Sequence, residues 1–139
     1  MKKYRLRNVS SWTMFVFGLM AAILGLFGIL NPDLVLWQLG FEIVESSQRA
    51  SHDYTTVFIM ASSMAAFNMG AYYVLASLIN FKQFYLWTVP FRCLTFTVFT
   101  VSVLLGHAPD RFITVAVWEL IGAVATGIAL YYEHKNQIP

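Results

Sequence analysis

With 139 residues, 58% of them hydrophobic, only 12% charged and a mean hydropathy of +0.63, the chain is far from a soluble domain, in which about a quarter of residues carry charge. Its net charge of +2 is too small to point to a nucleic-acid partner. The single cysteine, Cys93, excludes an internal disulfide, a CxxC redox motif and a cysteine-based zinc cluster.

The basic start, Lys2-Lys3-Tyr4-Arg5-Leu6-Arg7, runs into an apolar stretch from Trp12 to Leu30 with no small-residue cleavage site, so it is read as a retained first span rather than a signal peptide. Four stretches, 11–31, 55–79, 83–106 and 111–132, each reach the ~20 residues that a membrane helix needs. Asn31-Pro32-Asp33 ends the first, Asn80-Phe81-Lys82 turns the second into the third, and Gly106-His107-Ala108-Pro109-Asp110 turns the third into the fourth. The expected fold is all-α: one domain, 1–139, forming an integral membrane bundle of four transmembrane helices. Short turns predict that helices two, three and four follow one another as antiparallel neighbours. In the long connection, 32–54, Trp37, Gly40, Phe41 and Val44 share one helical face and Gln38, Glu42, Glu45 and Arg49 the other, which predicts an amphipathic outer helix carrying a Glu45–Arg49 pair. That helix is read as a closing lid or a substrate gate. Small residues recur as Gly18/Ala22/Gly25, Ser62/Ala66/Gly70, Gly122/Thr126 and Ala123/Gly127, a pattern that lets helix backbones approach within a bundle or across an oligomer.

Lys2, Lys3, Arg5, Arg7, Lys82 and Lys135 fall on one side of the spans, Arg49 and Arg111 on the other. The excess places both termini in the cytoplasm, as in a bacterial inner-membrane protein. Trp12, Trp87, Tyr131 and Tyr132 then suit an inner aromatic belt, Trp37 and Tyr54 an outer one.

Asn68, Arg92 and Glu119 lie deep in helices two, three and four. A charge at the bilayer centre costs about 2.5–3.5 kcal/mol on insertion scales, so both charged groups are expected to face the bundle interior with partners. Folding helices three and four about position 108 leaves Arg92 roughly 7–8 Å deeper than Glu119, so direct pairing needs tilt or a kink at Pro90. Otherwise Asn68 accepts from Arg92, while Glu119 uses Thr95, Thr97 or water. A polar string of Asn68, Arg92 and Glu119 with Thr88, Thr95 and Thr126 is read either as structural glue or as a binding or proton-handling site. His107 and His134 fall at solvated ends, and His52, Asp53, Glu42 and Glu45 match no known metal-ligand spacing, so no metal site is assigned. Met14, Met20, Met60, Met64 and Met69 are read as apolar filling.

The order of several short motifs resembles the DoxX-like small four-helix membrane proteins. It runs from the Gly-rich first helix ending in Asn31-Pro32 through Leu39-Gly40-Phe41, Arg49, Asn68-Met69-Gly70 and Phe91-Arg92 to Trp118-Glu119-Leu120. The resemblance implies a compact bacterial-type bundle, sometimes associated with redox or quinone-linked partners. A small multidrug exporter carries its essential carboxylate in helix one, where this chain has none. Two functions are expected. One is an accessory subunit of a membrane complex or a binder of a small lipophilic molecule, with membrane lipid, a membrane protein or a second copy as partner. The other is a membrane-embedded enzyme acting on a lipid, quinone or terpenoid, with Glu119 as acid/base and Arg92 stabilising an anion. No cofactor is assigned.

Overall fold

The computed structural model describes residues 6–45 and 47–136, and among these it forms helices and no strands. Helix α1 spans Val9–Leu30, α2 Pro32–Leu39, α3 Thr55–Leu78, α4 Lys82–Leu104 and α5 Ile113–Lys135, the last entered through a 3-10 turn at Asp110–Phe112. Helix α1 starts at a reciprocal cap: the Asn8 side chain accepts from the Ser11 N–H (3.1 Å), and the Ser11 hydroxyl accepts from the Asn8 N–H (3.2 Å). Asn31 ends α1 and opens α2. Its N–H donates to the Phe27 carbonyl, its side chain accepts from the Leu34 N–H, and Pro32 takes the first helical position, where no N–H is needed.

The outer surface is apolar, unlike that of a soluble bundle, and the interior combines an apolar core of Met14, Tyr73, Ala76 and Tyr85 with covered polar side chains. Leu19, Phe58, Phe91, Leu104 and Ile128 face outward, whereas Ser10, Ser11, Ser77, Thr126 and Glu133 are covered. In water that exterior would cost about 25 cal/mol for each Å² of apolar surface; in hydrocarbon it costs nothing comparable. Helices α1, α3, α4 and α5 are long and apolar enough to cross a membrane.

Helix α1 packs most closely along α3, and α4 along α5, with α1 also lying against α5. The α1/α3 seam is made by glycine: a Cβ added at Gly18 would stand 2.6 Å from the Tyr73 Cβ, and one at Gly25 2.6 Å from the Ser63 carbonyl oxygen. On α3 the seam runs through Ser63, Phe67 and Gly70, one residue round from the expected Ser62 and Ala66; Ser62 is exposed and bonds back to the Ile59 carbonyl.

Two expectations are corrected here. Helices α3 and α4, although joined by a tight turn with Asn80 at φ 54°, hardly approach each other along their length. Bulky side chains stand between them: the Tyr73 and Phe84 rings are 5.7 Å apart, and the Tyr85 hydroxyl reaches across to the Ala76 carbonyl (3.0 Å). The glycine seam gives α3 a closer partner in α1. In the outer connection the amphipathic helix stops at Leu39, because Gly40 turns left-handed (φ 83°) against the Arg111 side chain. The expected Glu45–Arg49 helical pair does not form. Arg49 instead holds the connection together, donating to the Val44 carbonyl (3.0 Å), the Thr56 hydroxyl and Asp33 (3.2 Å), with Asp53 at 4.0 Å. Phe41 then rests on Phe112, which itself packs on Phe99.

The two ends of the bundle differ in charge. The end where α1 starts and α5 finishes carries Arg7, Lys82 and Lys135 against Glu133. The other carries Asp33, Glu42, Glu45, Asp53 and Asp110 against Arg49 and Arg111. Lys2, Lys3 and Arg5, counted above on the basic side, lie outside the described residues.

Candidate functional site

All four long helices meet at Arg92. The side chain leaves α4 toward the bundle centre, 4% exposed, and its Nε donates to Glu119 Oε2 at 2.9 Å. The guanidinium carbon lies 4.7 Å from the centre of the Phe17 ring on α1 and 5.4 Å from that of Tyr73 on α3, both within cation–π range. On α5 it rests against Gly122, where a methyl group would overlap the guanidinium, its carbon standing only 2.5 Å from the guanidinium carbon. Gly122 explains how the depth offset is bridged. It lies one turn from Glu119 on the same face, so the long Arg92 side chain passes alongside the α5 backbone and meets the carboxylate. Helix α4 runs continuously through Pro90.

One donor is left over. Arg92 Nη1 is buried without a hydrogen-bond partner. Such a group ordinarily costs about 1–3 kcal/mol, and more when charged. Glu119 keeps 24% of its side-chain surface exposed.

The rest of the expected string is dispersed. Asn68 is half-buried and, among the described residues, bonds to neither Arg92 nor Glu119. Thr95 donates to the Phe91 carbonyl of its own helix (3.0 Å) and Thr97 to that of Cys93 (2.9 Å). Thr88 and Thr126 converge on the Met14 sulfur, at 3.8 and 3.9 Å. Met14 thus serves as a polarizable acceptor in the core as well as filling. Among the described residues no three His, Cys, Asp or Glu side chains gather where they could hold a metal ion.

A fully buried acid, Glu133, was not singled out by sequence reasoning. It is 1% exposed and closes the start of α1: Oε1 accepts from the Ser10 N–H (2.6 Å), Oε2 from the Ser10 hydroxyl (2.8 Å), and Lys82 Nζ lies 3.2 Å from Oε2. A carboxylate is favoured there by the unpaired N–H groups and the positive end of the helix dipole. The signal was periodic. Glu119, Gly122, Thr126, Ala129 and Glu133 recur at three- and four-residue steps, so they share the face of α5 that looks inward.

Beside this node, between the first half of α4 and the last half of α5, lies an open groove of about 960 Å³. Leu86, Val89, Pro90, Gly127 and Leu130 make its apolar floor and Trp87 and Tyr131 flank it. Lys82, Gln83, Glu133 and His134 stand together at one end, in the first turn of α4 and the last of α5. Gly127, which has no side chain, helps to keep the groove open between α4 and α5.

A glycine-seamed bundle with an apolar exterior and four helices long and apolar enough to cross a membrane fits a multi-pass membrane protein. No family model, no curated protein and no solved structure matches the chain.

Proposed function

We propose that this protein binds one small lipophilic molecule within the bilayer, in the groove between α4 and α5. The observation that carries the reading is the groove itself: at about 960 Å³ it sits at the upper end of the ~300–1,000 Å³ typical of small-molecule sites, with an apolar floor and a few polar groups at one end. The charge difference between the ends supports an orientation with the basic end, and with it both chain ends, in the cytoplasm, as in a bacterial inner membrane. The likeness to the DoxX-like proteins belongs to this proposal too; it implies the compact bundle and names no ligand. In this reading Arg92, Glu119 and Gly122 hold the helices in register beside the groove, and a membrane-complex partner is a further role for the exposed helix faces.

Extraction of the full chain in mild detergent, followed by native mass spectrometry, tests it. A non-protein mass bound one to one is expected on the wild type and absent from Gly127→Leu, which fills the floor. A chain that emerges bare, or retains the same mass after Gly127→Leu, would refute the groove reading.

A second reading, a membrane-embedded enzyme acting on a lipid, quinone or terpenoid, has one observation in its favour: the unpartnered Nη1 of Arg92 next to Glu119. It requires altered lipid or quinone profiles in cells lacking the protein, and unchanged profiles would count against it.

A further inference from the structure

The apolar floor of the groove contains a proline inside a membrane helix. Pro90 lies within α4, exposed and lining the groove, and Leu86, one turn before it, lines the groove as well. Proline has no N–H, so the helical bond that position 90 would donate to the Leu86 carbonyl is missing, and the ring stands on the side of the helix where that oxygen lies. Depth makes the loss costly. Helix α4 has 23 residues, about 34 Å at 1.5 Å per residue, against a hydrocarbon core of about 30 Å. Leu86 stands one turn inside the start of α4 and its carbonyl points onward to Pro90, so the oxygen lies below the headgroups, where backbone groups must find their partners within the protein or its ligands.

Prolines in membrane helices are ordinarily accommodated by a hydroxyl or a neighbouring helix that donates to the carbonyl they leave open. Neither does so here. Thr88, two residues on from Leu86, is buried on the other side of α4 and donates to the Tyr85 carbonyl (2.8 Å). Among the described residues no side chain donates to the Leu86 carbonyl.

On the α5 side the floor is bare. A Cβ at Gly18, Gly25, Gly70 or Gly122 would collide with a neighbouring helix or with Arg92, whereas one at Gly127 would meet only Val89, at an ordinary 3.7 Å. Helix packing therefore does not demand glycine at position 127, and its missing side chain leaves the floor that holds Pro90 open to an occupant. The acceptor decides what that occupant carries. A pure hydrocarbon would seal the Leu86 carbonyl from water and give it no donor, and a molecule bearing only ether, ester or ketone oxygens would set acceptor against acceptor. A hydroxyl on an otherwise apolar molecule supplies the one donor and leaves Leu86, Val89 and Leu130 to hydrocarbon.

Resting on the groove reading above, we propose that the α4/α5 groove selects a lipophilic molecule with a free hydroxyl, an alcohol or a phenol, whose O–H donates to the Leu86 carbonyl left open by Pro90. The test incubates the detergent-purified full chain with two matched pairs, hexadecanol with its methyl ether and dodecylphenol with its methyl ether, and reads retention by native mass spectrometry. The hydroxyl compound is expected to be held about fivefold more strongly than its ether, the effect of one neutral hydrogen bond. A preference in one pair alone supports the donor and names its source as alcohol or phenol. Pro90→Ala restores the N–H and places a better helix former in α4, so hydroxyl and ether should then bind alike, and continued retention of the ethers shows that the groove of the variant is intact. Equal retention of hydroxyl and ether by the wild type, or a preference that survives in Pro90→Ala, would overturn the hydroxyl site while leaving the groove reading standing. Retention of none of the four compounds, or of all of them unchanged in Gly127→Leu, would overturn the groove as well.

Discussion

Replacing Glu119 by glutamine leaves the Arg92 guanidinium with no anion in a site where it is 4% exposed and where Nη1 is already without a partner. Breaking a buried pair in this way costs about 3–5 kcal/mol, because the remaining charge stays desolvated. Arg92→Met should cost less, since the carboxylate left behind keeps 24% of its side-chain surface exposed and methionine refills much of the space against Phe17 and Tyr73. The double variant leaves no stranded charge, so its cost should fall below the sum of the singles by about 0.5–3 kcal/mol, the range for residues in direct contact. Equilibrium unfolding in mixed micelles, with all four proteins in one detergent, measures the cycle. Single costs that add to within about 0.5 kcal/mol would show that Arg92 and Glu119 are not energetically paired and would refute the reasoning.

Gly122→Ala should displace the guanidinium from α5 and destabilise by about 1–3 kcal/mol, the cost of overpacking a filled site; in the Arg92→Met background most of that loss should disappear. Glu133→Gln weakens the charge-assisted bonds that close α1, and a loss of about 1.5–3 kcal/mol is expected, with faster hydrogen exchange confined to the amides of Ser10 and its neighbours. At the acidic end, hydrogen bonds from the Thr55 side chain and then its N–H, with Arg49 nearby, hold the Asp53 carboxyl below its ordinary 3.8. The sign follows: the folded form binds this proton less readily, so the contribution of Asp53 is present above pH 3.8 and is lost as pH falls through its lower folded value. Protection of the Thr55 amide, corrected for intrinsic exchange, should fall below that pH in the wild type and be lost at all pH values in Asp53→Ala, which removes the acceptor.

Helix existence and span boundaries were legible because twenty apolar residues in a row have one economical solution in a bilayer, and the ends were marked by Asn31-Pro32 and Asn80. The Arg92–Glu119 contact was legible as a cost and ambiguous as geometry. The depth count treated side chains as points, while the actual bridge depends on the length of Arg92 and on the vacancy at Gly122, which had been read only as packing. Glu133 escaped because it lies near the end of a span, where acids are ordinarily solvated; its inward face was encoded in the spacing from Thr126 and Ala129. The outer connection failed for a local reason. Its polar and apolar residues alternate at helical period across Gly40, but the left-handed turn of that glycine ends the helix, and Arg49 then finds Asp33 sixteen residues back rather than Glu45 four back. The splaying of α3 from α4 could not be read from turn length, because it is set by which helix offers the glycine seam.

The membrane topology underlies the groove, the charge asymmetry and the pairing at Arg92, and it is open to one direct measurement. In a Cys93→Ser background, single cysteines are placed at Gln48 in the outer connection and at Asn136 just beyond α5, both exposed, and intact cells or sealed vesicles are treated with a membrane-impermeant maleimide. The account predicts labelling of position 48 from outside and of position 136 only after the membrane is opened. Labelling of both from the same side would contradict four crossings with the basic end in the cytoplasm.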